Sequence, residues 1–283
     1  MRKTLFLGTL AAASFAATVG TAAQAQDMTD PAPFSGIYVG ASGGYDVQPN
    51  DVGSSILFDR GSNGSFGNTV STAAGANAFS PGFCNGRAVA ATPLPGSCRN
   101  DKDGWSYYGR IGMDSQSGNI VIGALGEFGK TEITDSVSGF STTPANYVMT
   151  RDVKWEASIR GRIGYAPGTT LFYGTFGPGY ANIDRSFTST NTANSFAQFG
   201  KRKQFGIVGG GGIEQKLGKN FSVGMEYTYH QYQDDDARVR VSQGTAAANN
   251  PFILPAGGAT TDFRRSDDKF RWHSLRATAA FRF

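Results

Sequence analysis

The residues that most readily do chemistry are scarce in this chain, which has 2 cysteines and 2 histidines among 283 residues. Cys84 and Cys98 could form a disulfide, bind a metal or act as a redox pair. Together with His230 and His273, they lack the spacing of a recognisable zinc site. In an oxidising compartment such a pair favours a disulfide, with two free thiols as the alternative. We therefore predict a disulfide, no metal and no cofactor.

The dipeptide His273-Ser274 invites a hydrolase interpretation. On a strand, however, adjacent side chains point to opposite faces, so these two cannot easily pair. No acid is placed to orient His273, and no G-x-S-x-G pattern surrounds Ser274. The glycine run 209–212 lacks the Lys-Ser/Thr that follows a phosphate-binding loop, and close packing within a strand explains it more simply. We predict no catalytic residue and no enzyme, and we place His230 in a polar network.

The elements that position these residues begin after an export signal. Two basic residues precede an apolar run at 5–19, and the sequence Ala-Gln-Ala ending at Ala25 fits signal peptidase. Cleavage would remove residues 1–25 and leave a mature domain, 26–283, that starts at Gln26. A first transmembrane helix is the alternative, but the run is short and no stop-transfer charges follow it.

The composition of the mature chain favours strands. No later stretch approaches the roughly 18 consecutive apolar residues that a membrane helix needs, whereas a barrel strand needs about 9–11. The 39 glycines and 12% aromatic residues suit short strands and tight turns. A mean hydropathy of -0.29 fits a barrel, because only alternate residues face lipid. The mature net charge of +4 − 2 = +2 is too small to indicate nucleic-acid binding.

Seven segments alternate with period two, and their two faces differ in charge. The apolar faces carry no charged residue. A charge facing mid-membrane lipid costs about 2–4 kcal/mol, whereas charges inside a narrow lumen must pair. We therefore predict a lumen network from the opposite faces, whose six basic and six acidic residues are Asp46, Arg110, Asp114, Glu127, Lys154, Glu156, Arg160, Arg162, Glu214, Glu226, Arg276 and Arg282.

The lengths of the connections give the strand count. Tight turns at 117–119, 166–169 and 218–220 alternate with long polar segments at about 47–103, 134–150, 185–202 and 233–268. Four long loops and three short turns require eight strands, an even number that suits bacterial barrels. The alternation does not assign faces to the fifth strand, 170 to about 184. We predict an all-β, transmembrane, antiparallel up-and-down barrel with four extracellular loops and short periplasmic turns.

The long first loop, about 47–103, is expected to hold structure of its own, in which Ser55–Phe58 extends the wall or forms a small hairpin. A soluble lipocalin-like barrel, with its apolar face inward, is the alternative architecture.

Several segments resemble the small outer-membrane barrels of Gram-negative bacteria, in particular the immunogenic and opacity-like surface proteins. They are GIYVGASGGY, GRIGMDSQSGNIVIGALGEFG, VKWEASIRGRIGYAPGTTLFYGTFG, FGIVGGGGIEQKLGKNFSVGMEYTYH and LRATAAFRF. The resemblance covers all eight strands but not the loops. It implies a monomeric barrel in the cell outer membrane with both termini in the periplasm. Family barrels end on an aromatic residue that the barrel-assembly machinery recognises, and Phe281 and Phe283 match that pattern.

Charged residues flank the last loop. The run Asp234 to Asp236 could bridge to lipopolysaccharide through a divalent cation, although a solvated loop flank is the simpler interpretation. Basic residues at the other end of the loop suit anionic lipid headgroups, and these are Arg264, Arg265, Lys269 and Arg271.

The function we predict is a surface-exposed structural or interaction role carried by the loops, with a possible host or extracellular ligand and a lumen filled by the charge network. The alternatives are a narrow porin-like channel for small solutes and a haem-type ligand-binding surface protein.

Overall fold

The structure, a computed structural model, describes residues 32–48, 54–253 and 260–283. The predicted signal and its cleavage site at Ala25 and Gln26 lie outside these ranges. No helix in the described residues is long and apolar enough to cross a membrane. The same residues form sixteen strands: β1 (Gly36–Val47), β2 (Ile56–Arg60), β3 (Gly82–Asn85), β4 (Arg87–Ala88), β5 (Cys98–Arg99), β6 (Gly104–Ser117), β7 (Ile120–Thr131), β8 (Thr134–Ser141), β9 (Ala145–Tyr165), β10 (Thr170–Ser189), β11 (Ser195–Phe199), β12 (Lys203–Lys216), β13 (Phe221–Gln233), β14 (Arg238–Ser242), β15 (Thr261–Arg265) and β16 (Lys269–Arg282).

Eight of these strands close into an antiparallel barrel, which confirms the predicted fold class. The order around the wall is β1-β6-β7-β9-β10-β12-β13-β16, and β16 pairs with β1. At this closure Tyr38 lies opposite Arg282 and Val47 lies opposite His273. Three tight turns connect strands at one end of the barrel, which we call the turn end. The long connections lie at the other, which we call the loop end.

The outer surface of the barrel is an apolar band. On β1 the band runs from Ile37 to Tyr45, nine residues that match the length of a transmembrane strand. Ile159 is 69% exposed and Phe205 is 72% exposed, as expected for side chains that face lipid. At the loop end the band finishes in a ring of aromatic residues, here called the girdle: Tyr45, Trp105, Tyr107, Phe128, Trp155, Tyr180, Phe205, Tyr227 and Tyr229.

The charged faces point inward, which excludes the lipocalin-like alternative. Inward glycines make room for large lumen side chains: a Cβ on Gly112 would lie 2.3 Å from Cζ of Tyr38. The run 209–212 lies within β12, where a Cβ on Gly210 would lie 1.9 Å from the carbonyl oxygen of Tyr227. These glycines therefore allow the close packing that the sequence indicated.

A β-bulge interrupts the β9–β10 pairing and reverses the faces beyond it. Asn182 pairs with Trp155, but the next residue, Ile183, pairs with Val153, so Lys154 is the extra residue. Lys154 is exposed, and its Nζ lies 2.8 Å from Asp152. Val153 is buried instead. The prediction that Lys154 joins the lumen network was therefore wrong, because sequence alternation does not reveal the bulge.

Above the girdle the predicted loops are largely strands. The segments 134–150 and 185–202 were expected to be loops, but they contain β8, the first part of β9, the end of β10 and β11. A second sheet, in the order β11-β14-β15-β2, combines the first, third and fourth long connections. Ile56–Arg60 forms β2, so the first loop does hold structure of its own. We call this assembly above the barrel the cap.

The cap has its own apolar core. Its buried residues include Phe58, Phe79, Tyr147 and Phe263, and the rings of Phe58 and Phe79 lie 4.4 Å apart. Cys84 and Cys98 form the predicted disulfide, with Cα atoms 6.5 Å apart. The bridge closes a segment that contains β4 and leads into β5, and Ala88 of this segment is buried against Phe140 and Val148. In the entropic account such a closed loop contributes roughly 3 kcal/mol. The cap is thus a folded unit rather than a set of flexible loops.

Candidate functional site

The lumen is filled by side chains in successive layers, beginning at the turn end. There Arg162 and Arg282 both contact Asp114, each at 3.0 Å, and both lie near Glu214. The chain before β1 folds beneath them: Phe34 is buried, and its carbonyl oxygen accepts a hydrogen bond of 2.6 Å from Arg282 Nη1. The alternation predicted the charged residues of this layer, but nothing in the sequence indicated that Phe34 closes it.

The middle layer is a network of two acids and three arginines. Glu226 lies 3.0 Å from Arg110 and 3.1 Å from Arg160. Glu127 lies 2.8 Å from Arg110, also contacts Arg160, and is 3.7 Å from Arg276. All five side chains are buried. Because charges taken out of water are costly unless they are paired, these contacts hold the layer closed.

The upper layer is centred on Glu156. Its carboxylate accepts hydrogen bonds of 2.7 Å from the hydroxyls of Tyr108 and Tyr232 and lies 2.7 Å from His230 Nδ1. Arg276 donates to His230 Nε2 at 2.9 Å. Since Arg276 is only a donor, Nε2 must accept, and Nδ1 carries the proton towards Glu156. His230 therefore lies in the polar network, where the sequence analysis placed it.

The same layer contains a Thr–His–acid arrangement, because Thr228 Oγ1 lies 2.8 Å from His230 Nε2. Thr228, His230 and Glu156 are all buried, and the indole of Trp272 stacks on the imidazole with ring centroids 4.8 Å apart. Arg276 already occupies Nε2, the position a general base would need. The arrangement closes the lumen rather than exposing a nucleophile.

His273 and Ser274 point to opposite sides of the wall, as alternation requires. His273 Nδ1 lies 2.6 Å from the Tyr227 hydroxyl on the outer surface. Ser274 is buried inside and accepts from Arg276 at 3.1 Å. The two residues therefore do not form a catalytic pair with each other.

Above the charged layers, an apolar layer spans the barrel mouth. Its buried residues come from strands on opposite sides of the barrel and include Val153, Ile183, Val208, Phe270 and Trp272. These apolar side chains fill the barrel mouth above the charged layers.

A further ion layer separates the apolar layer from the cap. Arg151 contacts Asp135 at 2.6 Å and both Asp234 and Asp267 at 2.9 Å. Arg265 contacts Asp135 at 2.7 Å. Although burial opposes ionisation, the two guanidinium groups lower the pKa of Asp135 to about 2. This layer brings together β8, β9, the residue that follows β13, and residues in and just after β15, so it ties the cap to the barrel.

Asp101, which follows β5, approaches the same layer. Its carboxylate accepts a hydrogen bond of 2.7 Å from the backbone N–H of Ser136. Burial, followed by the nearby charge of Asp135, raises the pKa of Asp101 to about 7. A carboxyl whose pKa is raised on folding favours the folded state below its unfolded value, and this contribution is lost as the pH rises towards 7.

The ion layer corrects two sequence interpretations. Arg265 is buried against Asp135 and cannot face lipid, while Arg264 lies 4.5 Å above the Phe66 ring in the cap. Asp234 is buried rather than solvated. Among the described residues, no group of three or more His, Cys, Asp or Glu side chains could hold a metal ion. Of the predicted lipid-facing residues, Lys269 and Arg271 lie on the outer surface.

The structure brings eleven of the twelve predicted network residues into the lumen: Asp46, Arg110, Asp114, Glu127, Glu156, Arg160, Arg162, Glu214, Glu226, Arg276 and Arg282. Phe281 and Phe283 lie on the outer surface at the turn end, with ring centroids 5.3 Å apart. A cavity of about 200 Å³ lies in the cap, lined in part by Phe58, Phe79 and Phe83.

The chain is similar to known outer-membrane proteins. It is 26% identical over 149 residues to a 22 kDa outer membrane protein of Rhizobium leguminosarum bv. viciae, covering 52% of this chain and 63% of that protein. It is 27% identical over 111 residues to a 31 kDa outer-membrane immunogenic protein of Brucella melitensis biotype 1, covering 39% and 46%. The chain thus spans less than two thirds of the length of these relatives. No family model matches it.

Among solved structures, the outer membrane protein OprG from Pseudomonas aeruginosa shares 11% identity, with 88% of this chain and 96% of that chain covered and a TM-score of 0.49. The protein is an eight-stranded β-barrel of the outer membrane, with relatives among outer-membrane proteins. Its outer surface lies in lipid and lipopolysaccharide. In such barrels the short turns are periplasmic and the long connections are extracellular.

Proposed function

We propose that this outer-membrane barrel is a closed support for a rigid interaction surface, the cap, which it displays outside the cell. The observation that carries the proposal is the folded state of the cap. Segments from the long connections share a sheet and bury a common aromatic core. Ordered surfaces lose less conformational entropy on binding than flexible loops do, so a pre-formed cap favours specific recognition.

The filled lumen favours this role over the channel. A solute crossing the barrel would have to displace the paired charges around Glu226, then the apolar layer at Trp272, and then the ions around Arg151. Each displacement leaves buried charges unpaired or breaks close packing. The haem-type alternative has no comparable support, since His230 is buried and His273 bonds to Tyr227. We include no catalytic activity in the proposal.

The proposal extends to how the chain reaches the membrane. We infer that residues 1–25 are removed at Ala25–Gln26 and that 26–283 inserts as a monomer. Phe281 and Phe283 are the residues that we expect the barrel-assembly machinery to recognise, because they end an alternating strand with aromatic side chains.

Surface display is tested by labelling two single-cysteine additions on intact cells. Ala74 is exposed in the cap, and Asn119 lies in a tight turn at the opposite end. We expect a membrane-impermeant maleimide to label Ala74→Cys on intact cells and Asn119→Cys only after the outer membrane is opened. The native cysteines are joined in a disulfide and provide the unlabelled background. Labelling of Asn119→Cys alone on intact cells would contradict the proposed display.

A further inference from the structure

The outer surface of the barrel is not uniform immediately beyond the girdle. One outward residue on or next to each wall strand occupies this level: Val47, Asp103, Lys130, Lys154, Asn182, Lys203, Gln231 and Arg271. In the outer leaflet this is the level of lipid headgroups, where basic residues attract anionic lipid. The cations at this level differ in whether acidic side chains already neutralise their charge.

Around β9 and β10 the cations are paired with acids. Lys154 Nζ lies 2.8 Å from Asp152 and 3.6 Å from Asp184, and Arg202 lies 3.2 Å from Asp184. On β7, Lys130 shares the outer face with Glu132, two residues further along. These parts of the surface therefore present little net charge to a headgroup.

The surface formed by β12, β13 and β16 is different, and we call its cations Lys203, Lys269 and Arg271 the basic sector. Arg271 donates from Nε to Gln231 at 3.2 Å, which orients the guanidinium, and its side chain is 36% exposed. Its nearest acid, Asp267, is 4.0 Å away and already contacts Arg151 at 2.9 Å. The exposed acids Asp235 and Asp268 lie outside the strands, and no ion pair joins either of them to a cation of the basic sector in the described residues.

The strand register sets the spacing within the basic sector. Gln231 pairs with Arg271 and Gln233 with Lys269, while Ile207 of β12 pairs with Gln231. Lys203 and Lys269 are therefore two strands and about two residues apart, or roughly 12 Å between backbones. Long basic side chains at this spacing can contact two separate phosphates of one headgroup.

Below the cations lies an aromatic surface on which a sugar ring could pack. The imidazole of His273 lies 5.2 Å from the Tyr229 ring and 5.9 Å from the Tyr227 ring, centroid to centroid. The Tyr227 hydroxyl fixes the imidazole through Nδ1 at 2.6 Å. Cations above an amphipathic aromatic surface match a ligand that combines phosphate groups with a saccharide.

We propose that the basic sector binds the phosphorylated disaccharide headgroup of a lipid A-type glycolipid in the outer leaflet. Lys203, Lys269 and Arg271 face its phosphates, and His273 with Tyr229 packs against its sugar. This binding site lies on the outer wall and does not depend on the role of the cap.

The test compares two variants that each remove two cations from the same level of the barrel. One is Lys203→Gln with Arg271→Gln in the basic sector, and the control is Lys130→Gln with Lys154→Gln. Purified protein in non-ionic detergent is titrated with bisphosphorylated lipid A, and the bound fraction is read by native mass spectrometry. We expect about 25-fold weaker binding for the basic-sector variant, roughly fivefold per cation, and less than a twofold change for the control.

Two further titrations of the wild type identify the source of the phosphate. The same glycolipid without phosphates is expected to bind as weakly as the basic-sector variant, and millimolar inorganic phosphate is expected to leave lipid A bound. The proposal would be overturned if lipid A binding weakened equally in both variants or in neither. It would also be overturned if the dephosphorylated glycolipid bound as tightly as lipid A, or if inorganic phosphate displaced lipid A. Gel mobility with and without boiling verifies that each variant is folded.

Discussion

Glu226→Gln is expected to destabilise the barrel by about 3–5 kcal/mol, the usual cost of removing one partner from a buried ion network. Glutamine keeps the volume of the side chain, so little of the loss comes from a cavity. It removes the charge that Arg110 and Arg160 contact at 3.0 and 3.1 Å, and the carboxylate that accepts from Tyr173 at 2.8 Å. Glu127 alone then faces three buried guanidinium groups.

The measurement is urea unfolding of the refolded protein in detergent, followed by the fraction that keeps its unboiled gel mobility. Glu132→Gln is the matched control, because Glu132 is exposed just beyond β7 and its loss is expected to cost less than about 0.5 kcal/mol. If the free energies of unfolding of the two variants differed by less than about 1 kcal/mol, the network would not be what holds the lumen closed.

Arg151→Met is expected to loosen the cap while leaving the barrel folded. Methionine keeps the apolar stem but removes the charge shared by Asp135, Asp234 and Asp267. The expected loss at pH 7 is again about 3–5 kcal/mol, confined to the cap. Hydrogen exchange of amides in β8, β14 and β15 measures it, with Lys154→Met as an exposed control three residues along β9.

The pH dependence of this effect has a defined sign. The pKa of Asp135 is lowered to about 2 by Arg151 and Arg265 against the effect of burial, so its ionic contribution is present above its ordinary value near 3.8 and is lost as the pH falls through 2. The difference in hydrogen-exchange protection of the cap amides between wild type and Arg151→Met should therefore narrow as the pH falls from 4 to 2. Equal exchange in both proteins at pH 7 would contradict the role assigned to the ion layer.

Period-two alternation predicted the barrel because it reports a local geometry: each strand has lipid on one side and the lumen on the other. For the same reason, alternation did not assign the inward and outward faces of the fifth strand. In β10 the inward residues include Leu171, Tyr173 and Ile183, and the outward ones include Phe172 and Phe176. Because apolar residues lie on both faces of β10, the two faces do not differ in polarity along the sequence.

The features that sequence reasoning missed depend on contacts between distant segments. The bulge at Lys154 shows only when β9 is aligned with β10. The sequence predicts a lipid-facing Arg265 because its partner Asp135 lies 130 residues away along the chain. Alternation predicts loops where the cap strands lie, because their apolar residues face one another across the cap and none of them faces lipid.

The proposed closure of the lumen along its whole length is tested most directly by ion conductance. Refolded protein is inserted into a planar lipid bilayer in 1 M salt, with insertion verified by unboiled gel mobility of the same preparation. We expect a baseline without steady single-channel steps, because the Glu226 and Arg151 layers and the apolar layer between the Glu226 layer and the cap leave no continuous aqueous path. Uniform, long-lived conductance steps that recur with each insertion would contradict the closed lumen and favour the channel.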